Sequence, residues 1–201
     1  MILDEILEAT RERVRDLEGR SLPRTPGQHR SLADAISRAE GKNAVIAEVK
    51  FASPSRGRIR PPASPEELAG QLVSGGCCAL SVLTEPRFFG GSPGSLARVR
   101  AAVGVPVLRK DFIIDPVQLG ETASLGADAV LLITSILGDR LPGFVERAKA
   151  LGIEPLVEVH TRDEAGAALR TSAELIAVNN RDLRTMETDL AATLDLGPVL
   201  R

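Results

Sequence analysis

A chain of 201 residues, 43% hydrophobic and 26% charged, carries enough apolar material for one sizeable core, which excludes a disordered segment. Its formal net charge of -2 supplies no basic field to draw nucleic acid or an anionic membrane, so a small-molecule partner is expected. The only two cysteines, Cys77 and Cys78, are adjacent, with neither CxxC spacing nor a histidine nearby; they read as small packing residues and favour a reducing, cytoplasmic setting. Asp4, Glu5 and Glu8 fall where a secretory signal needs a basic segment followed by an unbroken apolar one, and no apolar run reaches membrane-spanning length.

In chain order, helical periodicity predicts a helix over about 3–17, then a Pro/Arg-rich connection over 22–27 and a short helix near 32–38. Six short Val/Ile/Leu-rich runs follow at 44–49, 79–84, 105–108, 129–133, 155–159 and 175–178. They barely alternate in polarity, as parallel strands covered on both faces do. Amphipathic stretches such as 65–72 and 140–151 lie between them, and most joins carry Gly-small-apolar punctuation, as in Leu125-Gly126-Ala127. A βα unit repeated six times with right-handed crossovers predicts an open doubly wound sheet or a (βα)8 barrel, and order alone does not separate the two. Residues 1–43 are expected to be a helical extension and 44–201 the βα domain.

The informative residues are ionisable groups that end these apolar runs: Glu48 and Lys50, Lys110, Glu158 and His160, Asn179 and Arg181. Side chains two apart on a strand share a face, so Glu48 with Lys50, Glu158 with His160 and Asn179 with Arg181 would converge. Isolated charges are too costly to bury, so opposite signs at several strand ends are either mutually paired or poised for a ligand. A lysine–glutamate mixture without an Asp/His cluster points to acid–base chemistry without a metal. Ser55-Arg56-Gly57-Arg58 is not a phosphate-binding P-loop, and no GxGxxG follows the first strand.

Ala47-Glu48-Val49-Lys50-Phe51-Ala52-Ser53-Pro54-Ser55-Arg56-Gly57 resembles the first strand and loop of the indole-3-glycerol phosphate synthase family, usually A-E-[VI]-K-[RK]-x-S-P-S-x-G. In family order come Ser81-Val82-Leu83-Thr84-Glu85-Pro86, Leu108-Arg109-Lys110-Asp111-Phe112, Leu131-Leu132-Ile133, Leu156-Val157-Glu158-Val159-His160 and Asn179-Asn180-Arg181-Asp182-Leu183. The resemblance implies a TIM-type (βα)8 barrel. It also implies cofactor-free decarboxylating ring closure of 1-(2-carboxyphenylamino)-1-deoxyribulose 5-phosphate, a phosphosugar–anthranilate substrate, in tryptophan biosynthesis.

By the same resemblance, Lys110 is the acid at the substrate carbonyl. Glu158 serves the dehydration with Glu48 as its neighbour, and Lys50 contacts anionic groups and assists Lys110. Asn179 and Arg181 would hold hydroxyl and anionic groups, Ser53 would touch substrate from its loop, and Pro54, Phe89, Phe112, Leu131 and Leu183 would form the apolar pocket. Lys50 with Arg109 or Arg181 nearby would tune Lys110 as an acid. His160 is expected at the rim or in a structural hydrogen bond, and His29 in solvent.

Phe51 departs from the family pattern, standing where a basic residue is usual. A complete barrel takes about 250 residues, so the chain is expected to be an incomplete barrel of about six βα units, lacking the last strand ends and their backbone phosphate cradle. The alternative to the synthase is therefore a truncated, non-catalytic remnant, or a fragment that needs a complementing C-terminal piece. Its two open edges would favour self-association. Another phosphosugar barrel, such as an isomerase, would explain the fold but not the combined set of site residues.

Overall fold

The computed structural model describes residues 2–23, 29–39, 43–59, 64–181 and 187–200. Six parallel strands form one sheet in sequence order: β1 Ile46–Val49, β2 Ala79–Leu83, β3 Val107–Lys110, β4 Ala129–Ile133, β5 Glu154–Val159 and β6 Leu175–Val178. Between and around them lie α1 Ile2–Leu17, α2 Leu32–Ser37, α3 Pro65–Ser74, α4 Pro93–Ala102, α5 Pro116–Ser124, the short α6 Thr134–Leu137, α7 Leu141–Ala150, α8 Arg162–Leu169 and α9 Ala191–Leu196. The result is the strand–helix order of a TIM-type barrel in six units, with β1 and β6 as the edges of the sheet among the described residues. No described helix is long and apolar enough to cross a membrane.

The helices start where the sequence supplies caps. Ser64, Ser92, Asp115 and Thr161 each accept a hydrogen bond from a first-turn backbone N–H, and proline occupies an early position of α3, α4 and α5, where a missing donor costs nothing. At Asp115 the cap is reciprocal, with the Gln118 side chain returning to the backbone N–H of the cap residue.

Alternation along the strands divides the core. One side faces the helices and buries Val49, Leu80, Val82 and Val107 in one cluster and Val130, Leu132, Val157 and Val159 in another. The concave side collects Leu108, Leu131, Ile133 and Leu156, joined by Ile6 of α1 and Leu32 of α2. The N-terminal helices thus share this interior cluster. Cys77 is buried at the α3–β2 join, where desolvation pushes its thiol pKa up, consistent with a packing role.

Beneath the sheet, carboxylates at the strand N-termini hold the extension. Asp128 accepts from the backbone N–H of Arg30 and Val107 and pairs with Arg100, while Glu154 accepts from the N–H groups of Leu32 and Ala33 at the start of α2. His29 is exposed, as expected, and its Nε2 lies 3.2 Å from the carbonyl oxygen of Asp128.

The third strand departs from its expected span. It begins at Val107, because Pro106 lacks an N–H for the ladder, and it runs on through Arg109 and Lys110. Lys110 is therefore the last residue of the strand. Leu132 is fully buried between sheet and helices, and Leu132→Ala is expected to lower unfolding free energy by about 2–5 kcal/mol. Urea denaturation followed by circular dichroism measures the loss; a change well under 1 kcal/mol would contradict this packing.

Candidate active site

The C-terminal ends of the six strands and the loops leaving them enclose a cavity of about 450 Å³. Strand register brings the charged residues to it. Glu48 stands beside Ser81, Leu83 beside Lys110 and Ile133 beside Glu158, so the concave face of each strand delivers its last residues to one bowl. The lining includes Glu48, Lys50, Ser53, Pro54, Phe89, Lys110, Phe112, Glu158, Asn179 and Arg181, which brings together ten of the twelve residues expected from the sequence.

One expected residue falls elsewhere. Leu131 is buried one layer below the cavity, and Ile133, two positions further along β4, lines it instead. Leu183 lies outside the described residues.

Acid–base pairs organise the floor. Lys50 Nζ donates to Glu48 Oε1 on the same strand face. Across the sheet, Lys110 Nζ lies 3.6 Å from Glu158 Oε2, and the other oxygen of Glu158 accepts from Asn179 Nδ2 at 3.0 Å. Glu158 is buried, whereas both lysines keep about a third of their side chains exposed, so the cations reach the open space and the carboxylate stays beneath. His160 sits at the edge of this group, its Nε2 3.6 Å from Glu158 and its Nδ1 3.4 Å from Glu164, and its backbone N–H is held by Glu164.

The other wall is apolar. The rings of Phe89 and Phe112 lie 6.0 Å apart at 37°, within the range of favourable aromatic pairing. Ile59, Leu83 and Pro54 extend this surface. The loop after β1 crosses the rim, its Ser55 hydroxyl accepting from Arg181 Nη1 at 3.2 Å and its Ala52 N–H donating to the Phe89 carbonyl. Gly91 lets the loop after β2 fold back on its own strand: a Cβ there would sit 2.2 Å from the Leu83 carbonyl oxygen.

Arg109 does not join the cations of the cavity. Alternation turns it to the helix side, where it is fully buried and donates to Thr84, the Gln118 carbonyl, Thr122, Asp111 and Glu121. The charge facing Lys110 is the carboxylate of Glu158, and the expected tuning by Arg109 has no geometric basis.

Sequence reasoning also passed over two buried carboxylates. Glu85 accepts from the backbone N–H groups of Arg87, Phe88 and Phe89, which shapes the loop carrying Phe89. Asp111 accepts from both terminal nitrogens of Arg13, from Arg109, from the Thr84 hydroxyl and from the Phe112 N–H. Burial alone would push the Asp111 carboxyl up, but the charge of Arg109, the hydrogen bond and charge of Arg13 and the Thr84 hydroxyl bring it down to about 2. A polar Thr84-Glu85 pair closing an apolar strand was the available signal for Glu85. For Asp111 there was little, because Arg13 lies 98 residues away in sequence.

A barrel-type βα chain whose strand ends gather paired lysines and glutamates beside an aromatic wall has the form of a metabolic lyase or isomerase site. The family model for indole-3-glycerol phosphate synthase matches residues 3–201. The chain is 46% identical to the indole-3-glycerol phosphate synthase of Carboxydothermus hydrogenoformans, over 100% of this chain and 81% of that one. It is 47% identical to the synthase of Methanopyrus kandleri, over 99% of this chain and 78% of that one. The chain belongs to the indole-3-glycerol phosphate synthase family. Among solved structures, a Schiff base-forming fructose-1,6-bisphosphate aldolase superposes with a TM-score of 0.51 at 17% identity, covering 85% of this chain and 76% of that one, a likeness of fold alone.

Because the folded-state pKa of Asp111 is depressed, its ionic contribution to stability is complete above the ordinary carboxylate range and is lost as the pH falls from 3.8 through about 2. Asp111→Asn is therefore expected to melt below the parent chain at neutral pH, with the gap narrowing as the pH drops below 3.8. Melting curves of both proteins across that range check this; a gap that stays constant down to pH 2 would rule out the ion cluster as its source.

Proposed function

We propose that this chain carries out the family reaction, the decarboxylating ring closure of 1-(2-carboxyphenylamino)-1-deoxyribulose 5-phosphate to indole-3-glycerol phosphate. The observation that carries this reading is Lys110 facing buried Glu158 across 3.6 Å, beside the wall formed by Phe89 and Phe112. The reaction asks for that combination: an acid at a carbonyl, a carboxylate within reach of it for proton transfer, and an apolar surface for an aromatic ring.

In this reading the anthranilate ring lies against Phe89 and Phe112, with Pro54 above. The ammonium of Lys110 donates to the ribulose carbonyl oxygen as the ring carbon attacks, so negative charge never accumulates there. Departure of carbon dioxide returns electrons to the ring system, and Glu158 serves the proton transfers that accompany loss of the hydroxyl. Lys50, paired with Glu48, is the exchangeable cation for the substrate carboxylate. Asn179 orients Glu158 and offers its amide to a sugar hydroxyl, and the fork of Arg181 takes an anionic group. Ser53 contributes a loop hydroxyl. The extension over 1–43 and the barrel over 44–201 act as one catalytic body, and a cytoplasmic setting with a phosphosugar–anthranilate substrate belongs to the same reading.

A second reading, favoured by the open edges of β1 and β6 among the described residues, is that turnover needs a complementing C-terminal piece supplied by another polypeptide, or that the chain self-associates through those edges.

Indole-3-glycerol phosphate formation by the purified chain, with and without a C-terminal fragment taken from one of the relatives, separates these readings. Lys110→Ala is expected to lower kcat by on the order of 100-fold or more, and Glu158→Gln by a similar factor. Full turnover by Lys110→Ala would overturn the assigned acid. Turnover that appears only with the added fragment would establish the second reading.

A further inference from the structure

Asp111 lines the cavity together with its neighbours Lys110 and Phe112, yet its side-chain carboxylate is fully buried and bonded to protein groups. It is held from three directions. Arg13, on α1, donates from Nη1 at 3.0 Å and Nη2 at 2.9 Å in a bidentate fork. Thr84, just past β2, donates its hydroxyl at 2.6 Å, and Arg109 donates from the helix side at 3.0 Å. The remaining acceptor capacity takes the backbone N–H of Phe112 at 2.8 Å.

The two peptide units that flank Asp111 are both held, one through the carbonyl of Lys110 and the other through the N–H of Phe112. Thr84 donates its backbone N–H to the carbonyl of Lys110 at 3.1 Å and its hydroxyl to Asp111, so one residue gauges both ends of the turn. Glu85 does the matching task one strand over for the loop of Phe89. The placement of Phe112 relative to Lys110 therefore follows from where the Asp111 carboxylate is pinned, while Glu85 sets the loop of Phe89 that faces it. Of its charged partners, Arg109 belongs to the same strand, whereas Arg13 alone brings in an element from outside the sheet.

We propose that Asp111, clamped by Arg13 of the N-terminal helix, is a positioning residue that aims Lys110 and Phe112 into the cavity, so that α1 is part of the catalytic apparatus. This rests on the acid role assigned to Lys110. An ion cluster that merely fastened α1 to the barrel would change melting temperature and leave turnover by the folded protein untouched. A positioning cluster changes turnover as well, because small misplacements of a reacting group are expensive in rate.

The test uses the full chain with Arg13→Gln, Arg13→Lys, Thr84→Val and, as a control on the same helix, Arg11→Gln, which removes an exposed guanidinium paired only with Glu8. Asp111→Asn is less informative, since it removes at once the carboxylate that Arg13 and Arg109 share and leaves Arg109 with Glu121 alone. Two readouts are needed. Without substrate, NMR follows the Phe112 amide resonance and the cross-relaxation between the Phe89 and Phe112 rings; with substrate, kcat and KM are measured well below each variant's melting temperature.

Arg13→Gln is expected to move the Phe112 amide, weaken the ring–ring signal and lower kcat by on the order of 10- to 100-fold, more than it raises KM. Arg13→Lys recovers part of each change, Thr84→Val shows the same pattern more weakly, and Arg11→Gln shows none. Folded Arg13→Gln with unchanged amide and ring signals would overturn the proposal, as would a fall in kcat with those signals unmoved. Absence of turnover in the parent chain would count against the proposed reaction, while the resonances would still decide whether Arg13 sets the position of Phe112.

Discussion

Arg109 and Lys110 are neighbours, both cations, and strand alternation gives them opposite fates. Arg109 goes to the helix side, where it is fully buried and must be met by a full set of acceptors; Thr84, Gln118, Thr122, Asp111 and Glu121 supply them. Lys110 goes to the concave side, where an opening persists and the Glu158 carboxylate lies 3.6 Å from its ammonium. The same two-residue period selects Glu48 over Ala47 and Glu158 over Val157 for the cavity. The make-up of the candidate site depends on that sorting, because a slip of one residue would bury the lysine and expose the structural arginine.

Carboxylates do a parallel job in joining the N-terminal extension to the sheet. Asp111 receives α1 at the C-terminal end of the strands, while Asp128 and Glu154 receive residues 30–33 at the N-terminal end. Buried ion pairs of this kind are weak evidence of stability when whole, since desolvation offsets much of their attraction. Loss of one partner is a different matter and typically costs about 3–5 kcal/mol. Their consequence here is geometric: they admit one docking of the extension, and Ile6 and Leu32 then complete the interior apolar cluster.

Much of this was legible from sequence for identifiable reasons. Strands covered on both faces leave continuous apolar runs, and a charge that ends such a run announces itself; Glu48, Lys50, Lys110, Glu158, Asn179 and Arg181 were found in that way and through the ordered motifs. Less legible was anything that depended on the exact strand start or on distant partners. The third strand starts after Pro106, and its far end reaches Lys110 because Lys110 pairs with Leu83 of β2. Leu131 against Ile133 was a question of depth along one face, and periodicity does not set depth. Arg109 looked like a site cation because proximity in sequence was read as proximity in space, although a strand places immediate neighbours on opposite faces. The Arg13–Asp111 pair spans 98 positions and has no local signature at all.

The cavity is also unevenly secured, and this bears on how it works. Lys110 and Glu158 stand on β3 and β5, interior strands with neighbours on both sides, and Asp111 and Glu85 template the aromatic loops beside them. Glu48 with Lys50 and Asn179 with Arg181 stand at the two edges, which among the described residues meet across the rim through an exposed hydrogen bond from Arg181 to Ser55. Such a bond contributes about 1 kcal/mol, too little to hold two sheet edges at a fixed separation. Proton transfer needs tenths of an ångström and belongs on the interior strands, whereas grasping the anionic periphery of a ligand tolerates looser placement. The division of labour inferred for these residues, acid–base chemistry at the centre and charge recognition at the edges, therefore follows the gradient of mechanical support across the sheet.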